Sequence, residues 1–246
     1  MNLYTAIAGD IEPFAQAGRI YGVVVGIVTN NEDSEDQGRV KVKYPWLTSE
    51  EESPWARVAA PLAGKERGFL FLPEVGDEVL VVFEHGDITR PYILGGLWGG
   101  TDLPPTAAGN GRDKKVLKSK SGHIIRLDDT GGAEKIEIIG KDAKDSIVID
   151  AAQNTITIVS DKTITLESGK DLLLKASNGK VSINAKEIEV VSDQDTTLTS
   201  GQDLTLKASS GKGSVSANEV EVMSTAASKY QASGDMTIKG SQVNIN

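Results

Sequence analysis

From about residue 148 onward the chain repeats in units of eight residues: VIDAAQNT, ITIVSDKT, ITLESGKD, LLLKASNG, KVSINAKE, IEVVSDQD, TTLTSGQD, LTLKASSG, KGSVSANE, VEVMSTAA, SKYQASGD and MTIKGSQV, followed by NIN. A longer repeat overlies the octads. Residues 168–192 match residues 200–224 at an offset of 32, which is four octads, so that SGKDLLLKASNG answers SGQDLTLKASSG. A short, strict period of this kind restricts the segment to a repetitive, elongated β architecture.

Most octads hold two aliphatics two positions apart, which places both on one face of a short strand. The pairs are Ile156 and Ile158, Ile164 and Leu166, Leu172 and Leu174, Ile188 and Val190, Leu204 and Leu206, Val220 and Val222, and Met236 and Ile238. The octads at 180 and 212 shift the pair by one, to Val181 and Ile183 and to Gly213 and Val215. Clusters such as SGKD, SDQD and SNG supply the turns. Two inward residues in eight leave one chain a very thin core. A single-chain solenoid uses about 20 or more residues per coil to enclose its own interior. Three chains, each giving one strand per layer, enclose a narrow apolar axis instead. The octads therefore predict an intertwined C3 homotrimer with exposed sheet edges only at its two ends. The pairs from Ile156 to Val222 form its core. With strands about 4.8 Å apart, twelve octads make a needle on the order of 60 Å long. Folding and trimerisation of this half are then one event.

The first hundred residues differ in kind. All three Trp and seven of the eight Pro lie between residues 45 and 105, and no Pro, Trp or Phe follows Pro105. Residues 19–100 carry short apolar or alternating runs cut by turn signals, the pattern of a small β-barrel. Strands are expected at 21–28, 39–44, 55–60, 78–84 and 91–97, with a turn at HGD, residues 85–87. In GRVKVKYPW, Val40, Val42 and Tyr44 point one way and Arg39, Lys41 and Lys43 the other. Five strands in about 80 residues is the size of an OB-fold. Such a basic strand beside Tyr44 and Trp46 suits either a single-stranded nucleic acid or plain solvation. The acidic runs at 32–36 and 50–52 favour solvation, because they repel phosphates.

Charge and motifs narrow the function further. The net charge of −9 argues against nucleic acid or an anionic membrane as partner. No stretch approaches the roughly 18 apolar residues of a membrane span, and the N-terminus lacks the basic and apolar regions of a signal peptide. The absence of Cys removes disulfides, thiolate metal sites and thiol nucleophiles together. His85 and His123 stand 38 residues apart in unlike contexts and read as turn or packing residues. Asp128 and Asp129 in RLDDTGG read as turn caps. No G-x-S-x-G, Walker A or H-E-x-x-H motif occurs, so no catalytic, metal or cofactor residue is assigned and no enzyme activity is expected.

GRVKVKYPW, SPWARVAAPLAG and GFLFLPEVGDEVLVVFEHGDITRPYILGGLW together resemble the OB domain of contractile-tail spike proteins, the phage baseplate assembly protein V and VgrG group. KSKSGHIIRLDDTGGAEKIEI, residues 118–138, is similar to the stretch that joins OB domain to β-helix in VgrG-like proteins. The resemblance implies an all-β chain: an N-terminal OB-fold barrel, then a triple-stranded β-helix needle. The expected divisions are an N-terminal segment at 1–18, the OB-fold at 19–100, a linker and junction at 101–146 and the octad needle at 147–246. VgrG proteins carry large hub domains before the OB domain, whereas about 18 residues precede it here, which implies a separate hub or baseplate protein. Leu3, Ile7, Ile11 and Phe14 recur at helical spacing and are candidates for docking on that hub. Only residues 101–117 stand where one phage spike carries a lysozyme.

The chain also lacks the terminal His-x-His with which some family spikes hold iron, so the resemblance implies a PAAR-repeat tip protein in place of a metal. Met236, Ile238, Val243, Asn244, Ile245 and Asn246 would meet that tip. The expected role is a structural spike, made in the cytoplasm, assembled at a baseplate and touching a target membrane only mechanically. A trimeric fibre or adhesin for surface glycan is the alternative. It predicts aromatic grooves along the shaft, and residues 148–246 hold a single aromatic, Tyr230.

Overall fold

A computed structural model describes residues 18–47, 51–100, 102–105 and 111–245. Five strands close a barrel in the order β1-β2-β3-β7-β6: β1 (Val24–Asn30), β2 (Arg39–Lys43), β3 (Ala56–Val58), β6 (Glu78–Phe83) and β7 (Pro91–Gly96). β3 and β7 pair in parallel, and the other four neighbour pairs are antiparallel. This is the all-β barrel that the alternating runs predict. Val28, Val40, Val42, Val79, Val81 and Ile93 are fully buried, with Tyr44, Ala56 and Phe83 completing the core. Burying each large aliphatic contributes about 1.5–3 kcal/mol, so period-2 alternation in β2 is sufficient to decide which way that strand faces.

Two glycines, one in the barrel and one beside it, mark where a side chain has no room. A Cβ at Gly26, inside β1, would lie 3.1 Å from Val81 Cγ2 and 3.3 Å from Val42 Cβ. Gly68 has φ +144°, and a Cβ there would sit 2.5 Å from the Leu62 carbonyl oxygen. It ends a two-stranded hairpin of β4 (Ala63–Gly64) and β5 (Arg67–Gly68) that the sequence does not announce. Among the described residues the helical content is one 3₁₀ turn, Glu84–Gly86, where His85 takes φ 49° to turn the chain from β6 into β7.

After the barrel comes a second sheet, an antiparallel meander of β8 (Lys114–Lys118), β9 (Ile124–Asp128), β10 (Lys135–Ile139), β11 (Ser146–Asp150) and β12 (Thr155–Val159). It occupies the stretch read as junction together with the first residues of the octads. Each reversal carries one residue at positive φ: Gly122, Gly132, Ala143 and Asn154. Barrel and sheet lie in one compact unit that ends at Leu172; the residues from Leu173 form a second. From residue 160 to 245 no strand is paired within the chain, and nearly every side chain is exposed. The second unit keeps a local regularity. The hydroxyls of Ser192, Ser200 and Ser224 each donate to the carbonyl three residues on, as Ser168 does before the boundary. These are the turn positions of the octad.

Candidate functional site

The register of the meander sorts its side chains into two faces of opposite character. Leu127, Ile136, Ile149 and Ile156 are cross-strand neighbours in one column, with Lys115 at its margin. Leu117, Ile125, Ile138, Ile147 and Ile158 form a second column two residues away, on the same side. That face therefore presents nine aliphatics and one cation. The other side carries Lys114, Asp128, Lys135, Asp150 and Thr155 in one column, Val116, Arg126, Glu137, Val148 and Thr157 in the next, and Lys118, Ile124, Ile139, Ser146 and Val159 in a third.

Burial runs opposite to polarity. Glu137 and Asp128 are each only 6% exposed, whereas Ile138 is 49% and Ile156 71% exposed. Arg126 Nε donates to Glu137 Oε2 at 2.5 Å, and Lys135 Nζ lies 3.4 Å from Oε1. The Arg126 guanidinium holds the Glu137 carboxyl below the usual carboxylate range. Asp128 accepts from both the backbone N–H and the hydroxyl of Thr130, with Lys114 Nζ 3.5 Å away. The hydrogen bond from the Thr130 hydroxyl is the largest cause holding its carboxyl down. Asp128 thus caps the RLDDTGG turn. A buried carboxylate is tolerated when its oxygens are so occupied, and the polar face is internally satisfied. Among the described residues nothing covers the aliphatic face, whose side chains are 40–71% exposed.

At one end of the aliphatic face lies a groove of about 510 Å³. Leu117, Ile125, Ile138, Ile147 and Ile158 line it together with Ile164, the first aliphatic of the next octad. His123 stands at its rim, beside the turn that Ser119 closes by accepting the His123 N–H. The residues expected at a trimer core are placed as follows. Ile156 and Ile158 lie in β12 on the aliphatic face, and Ile164 meets that face in the groove. Leu166, Leu172, Leu174, Ile188, Val190, Leu204, Leu206, Val220 and Val222 are all exposed, without an apolar neighbour layer from their own chain. Met236, Ile238, Val243 and Ile245, expected at the tip, are exposed too. Asn246 and the hub-docking candidates Leu3, Ile7, Ile11 and Phe14 lie outside the described residues.

On the barrel, two of the basic strand's cations, Arg39 and Lys41, already have partners. Arg39 grips Asp33 at 2.7 Å and reaches Glu35 at 3.1 Å, and Lys41 pairs with Glu52 at 3.1 Å. Both cations sit over Trp55, at 5.7 and 5.2 Å from the ring centroid. Arg57 stacks on Tyr92, whose hydroxyl lies 3.2 Å from the Glu84 carboxylate. Among the described residues no cluster of three or more His, Asp or Glu is arranged to hold a metal ion. No helix among them is long and apolar enough to cross a membrane.

Residues 24–98, from the first residue of β1 to just past β7, match the family model for the type VI secretion system/phage-baseplate injector OB domain. The chain is 29% identical over 140 residues to the actin cross-linking toxin VgrG1 of Vibrio cholerae serotype O1, an alignment covering 53% of this chain. It is 31% identical over 140 residues to type VI secretion system spike protein VgrG3 of the same serotype, again over 53% of its length. It is 34% identical over 140 residues to spike protein VgrG1a of Pseudomonas aeruginosa, over 51%. The chain spans only 13%, 14% and 22% of those three relatives. A closed five-stranded barrel and these matches agree on one likeness: residues 24–98 are similar to the OB domain of type VI secretion/phage-baseplate injectors, and the chain is VgrG-like.

Proposed function

We propose that this chain is the central spike of a contractile injection machine, a passive mechanical part whose needle is an intertwined homotrimer. One observation carries the reading: an injector OB barrel is followed, in the same chain, by octads whose aliphatics have no cover in one copy. Aliphatic pairs at least half-exposed and repeated over some eighty residues are not a stable monomer surface. A second and third copy give each pair its layer, and the ladder hydrogen bonds their partners. Ile164, Leu166, Leu172, Leu174, Ile188, Val190, Leu204, Leu206, Val220 and Val222 then face the axis, while Asp, Glu, Lys, Ser and Thr face water. The domain division at 18, 100 and 146 follows this reading. The chain is made in the cytoplasm and joins a baseplate, where the OB trimer seats on a separate hub protein through Leu3, Ile7, Ile11 and Phe14. Contraction drives the rod through the target envelope without chemistry.

Mass measurement of the full chain in solution, with and without SDS at room temperature, tests the trimer. The expected species is three times 26.1 kDa. A well-folded monomer would sink the reading. At the far end, the last strand layer leaves apolar side chains and unpaired backbone groups that need a cap. Met236, Ile238, Val243 and Ile245, flanked by Asn244 and Asn246, are the plate on which a PAAR-repeat tip protein sits. Pull-down of such a protein should be lost on deleting residues 236–246. Retention after that deletion removes the tip assignment and leaves the spike intact.

A further inference from the structure

We infer that the aliphatic face of the β8–β12 sheet is the surface by which three copies of this chain find a common register, before and independently of the octads. The inference rests on the trimer reading above and adds to it a site and a task.

The need for such a site comes from the repeat. Sliding one chain past another by 32 residues brings Leu172 to Leu204, Leu174 to Leu206, Ile188 to Val220 and Val190 to Val222, aliphatic against aliphatic each time. Strand register is set by the pattern of buried side chains, and a pattern that repeats specifies it weakly. The octads alone therefore admit staggered trimers of nearly equal packing. Something outside the repeat must choose.

The sheet has what the octads lack. Its columns are bounded by unlike turns, and its far face is pinned by the Arg126–Glu137 and Lys114–Asp128 pairs, so one chain offers a single surface with no shifted copy of itself. Its near face is apolar in nine of ten positions, and its one cation, Lys115, sits at the margin on β8. Such a surface excludes a polar or charged occupant. It is also continuous with the proposed needle axis, because Ile158 and the octad residue Ile164 line one groove with Ile138 and Ile147. A second copy supplies the same aliphatic surface at the same distance from the octads, which no unrelated partner is bound to do. Closure of three such faces around one axis would bury the aliphatics that are 40–71% exposed in a single copy.

The test uses the full chain, whose lack of Cys makes cross-linking clean. Chains bearing Leu172→Cys and, separately tagged, chains bearing Leu204→Cys are co-expressed and oxidised. In the parent background only like positions should cross-link. The face is then disrupted by Ile138→Asp with Ile147→Asp, and the control is Thr157→Asp on the opposite face. Barrel integrity is followed by the fluorescence of the Trp residues, all of which precede the sheet. The proposal expects the face variant, with its barrel intact, either to lose assembly or to gain mixed cross-links between positions 172 and 204 from background to a share like that of the matched pairs. The control should stay in register. An in-register trimer from the face variant overturns the proposal alone, as does equal loss in the control. A monomeric parent chain overturns the trimer reading itself.

Discussion

At the scale of single residues, the best-defined interaction lies in the loop between β1 and β2. Asp33 accepts the backbone N–H groups of Glu35 and Gln37 and both Nε and Nη2 of Arg39, at 2.7–3.1 Å. One carboxylate thereby closes the turn, fixes the start of β2 and orients the guanidinium over Trp55. The Arg39 hydrogen bonds, ahead of the backbone ones, hold the Asp33 carboxyl far below its ordinary range. A depressed folded-state value means that the stabilisation is fully present above the unfolded value, about 3.9, and is lost as pH falls from there through the folded value. Asp33→Asn should therefore lower the melting temperature of the barrel at pH 7, by several degrees, and the gap to the parent chain should narrow progressively as pH falls below about 4. Thermal unfolding followed by Trp fluorescence across that range reads it. A gap that stays constant down to pH 2 would show that Asp33 acts through shape and not through its charge.

At the scale of elements, what the sequence discloses depends on whether a strand has one wet face. β2 does, and GRVKVKY displays its buried set, Val40, Val42 and Tyr44, by alternation alone. β1 does not. YGVVVGIV is apolar throughout, so alternation cannot find its ends, and the strand expected at 21–28 runs instead from Val24 to Asn30, with an irregularity between Val28 and Asn30. The β4–β5 hairpin is illegible for another reason: its strands are two residues long and it is held by the special backbone of Gly68. The meander is the most instructive case. Its strands β9 to β12 start at residues 124, 135, 146 and 155, spacings of eleven, eleven and nine. Those spacings leave six, six and four residues to reverse the chain between five-residue strands, enough for hairpins. Octad spacing leaves three, without a recurring residue at positive φ. Aliphatics two apart look the same in both settings, so IVID and ITIV read as the beginning of the octads although the structure pairs them antiparallel within one chain. The missing signal was the loop length. As for the site, the octad aliphatics are legible as residues that need cover. The inversion of the sheet, with carboxylates buried and aliphatics exposed, needs the cross-strand register that only the fold supplies.

At the scale of the whole molecule, the octads tie length to phase. If each eight residues is one strand layer, removing 32 residues removes four layers and leaves every later aliphatic in its place on the axis, because residues 168–199 end where the matching copy at 200 begins. The junction Glu167-Ser200 then reads ESGQDLTLKAS, an ordinary octad turn. Removing 28 residues, 168–195, gives a chain only four residues longer, yet it puts every later octad half a period out of phase. A four-residue slip exchanges strand and turn: the pair Leu204 and Leu206 then falls where the layer expects a corner, in all three chains at once. The 32-residue deletion should therefore still give an SDS-resistant trimer, shorter by on the order of 19 Å at about 4.8 Å per layer. The 28-residue deletion should lose that resistance while its barrel melts as in the parent, since the barrel lies in the other unit. Small-angle scattering for length and SDS gels for resistance read both. Equal assembly by the two deletions would mean that the segment tolerates any phase, which a layered three-chain needle cannot do.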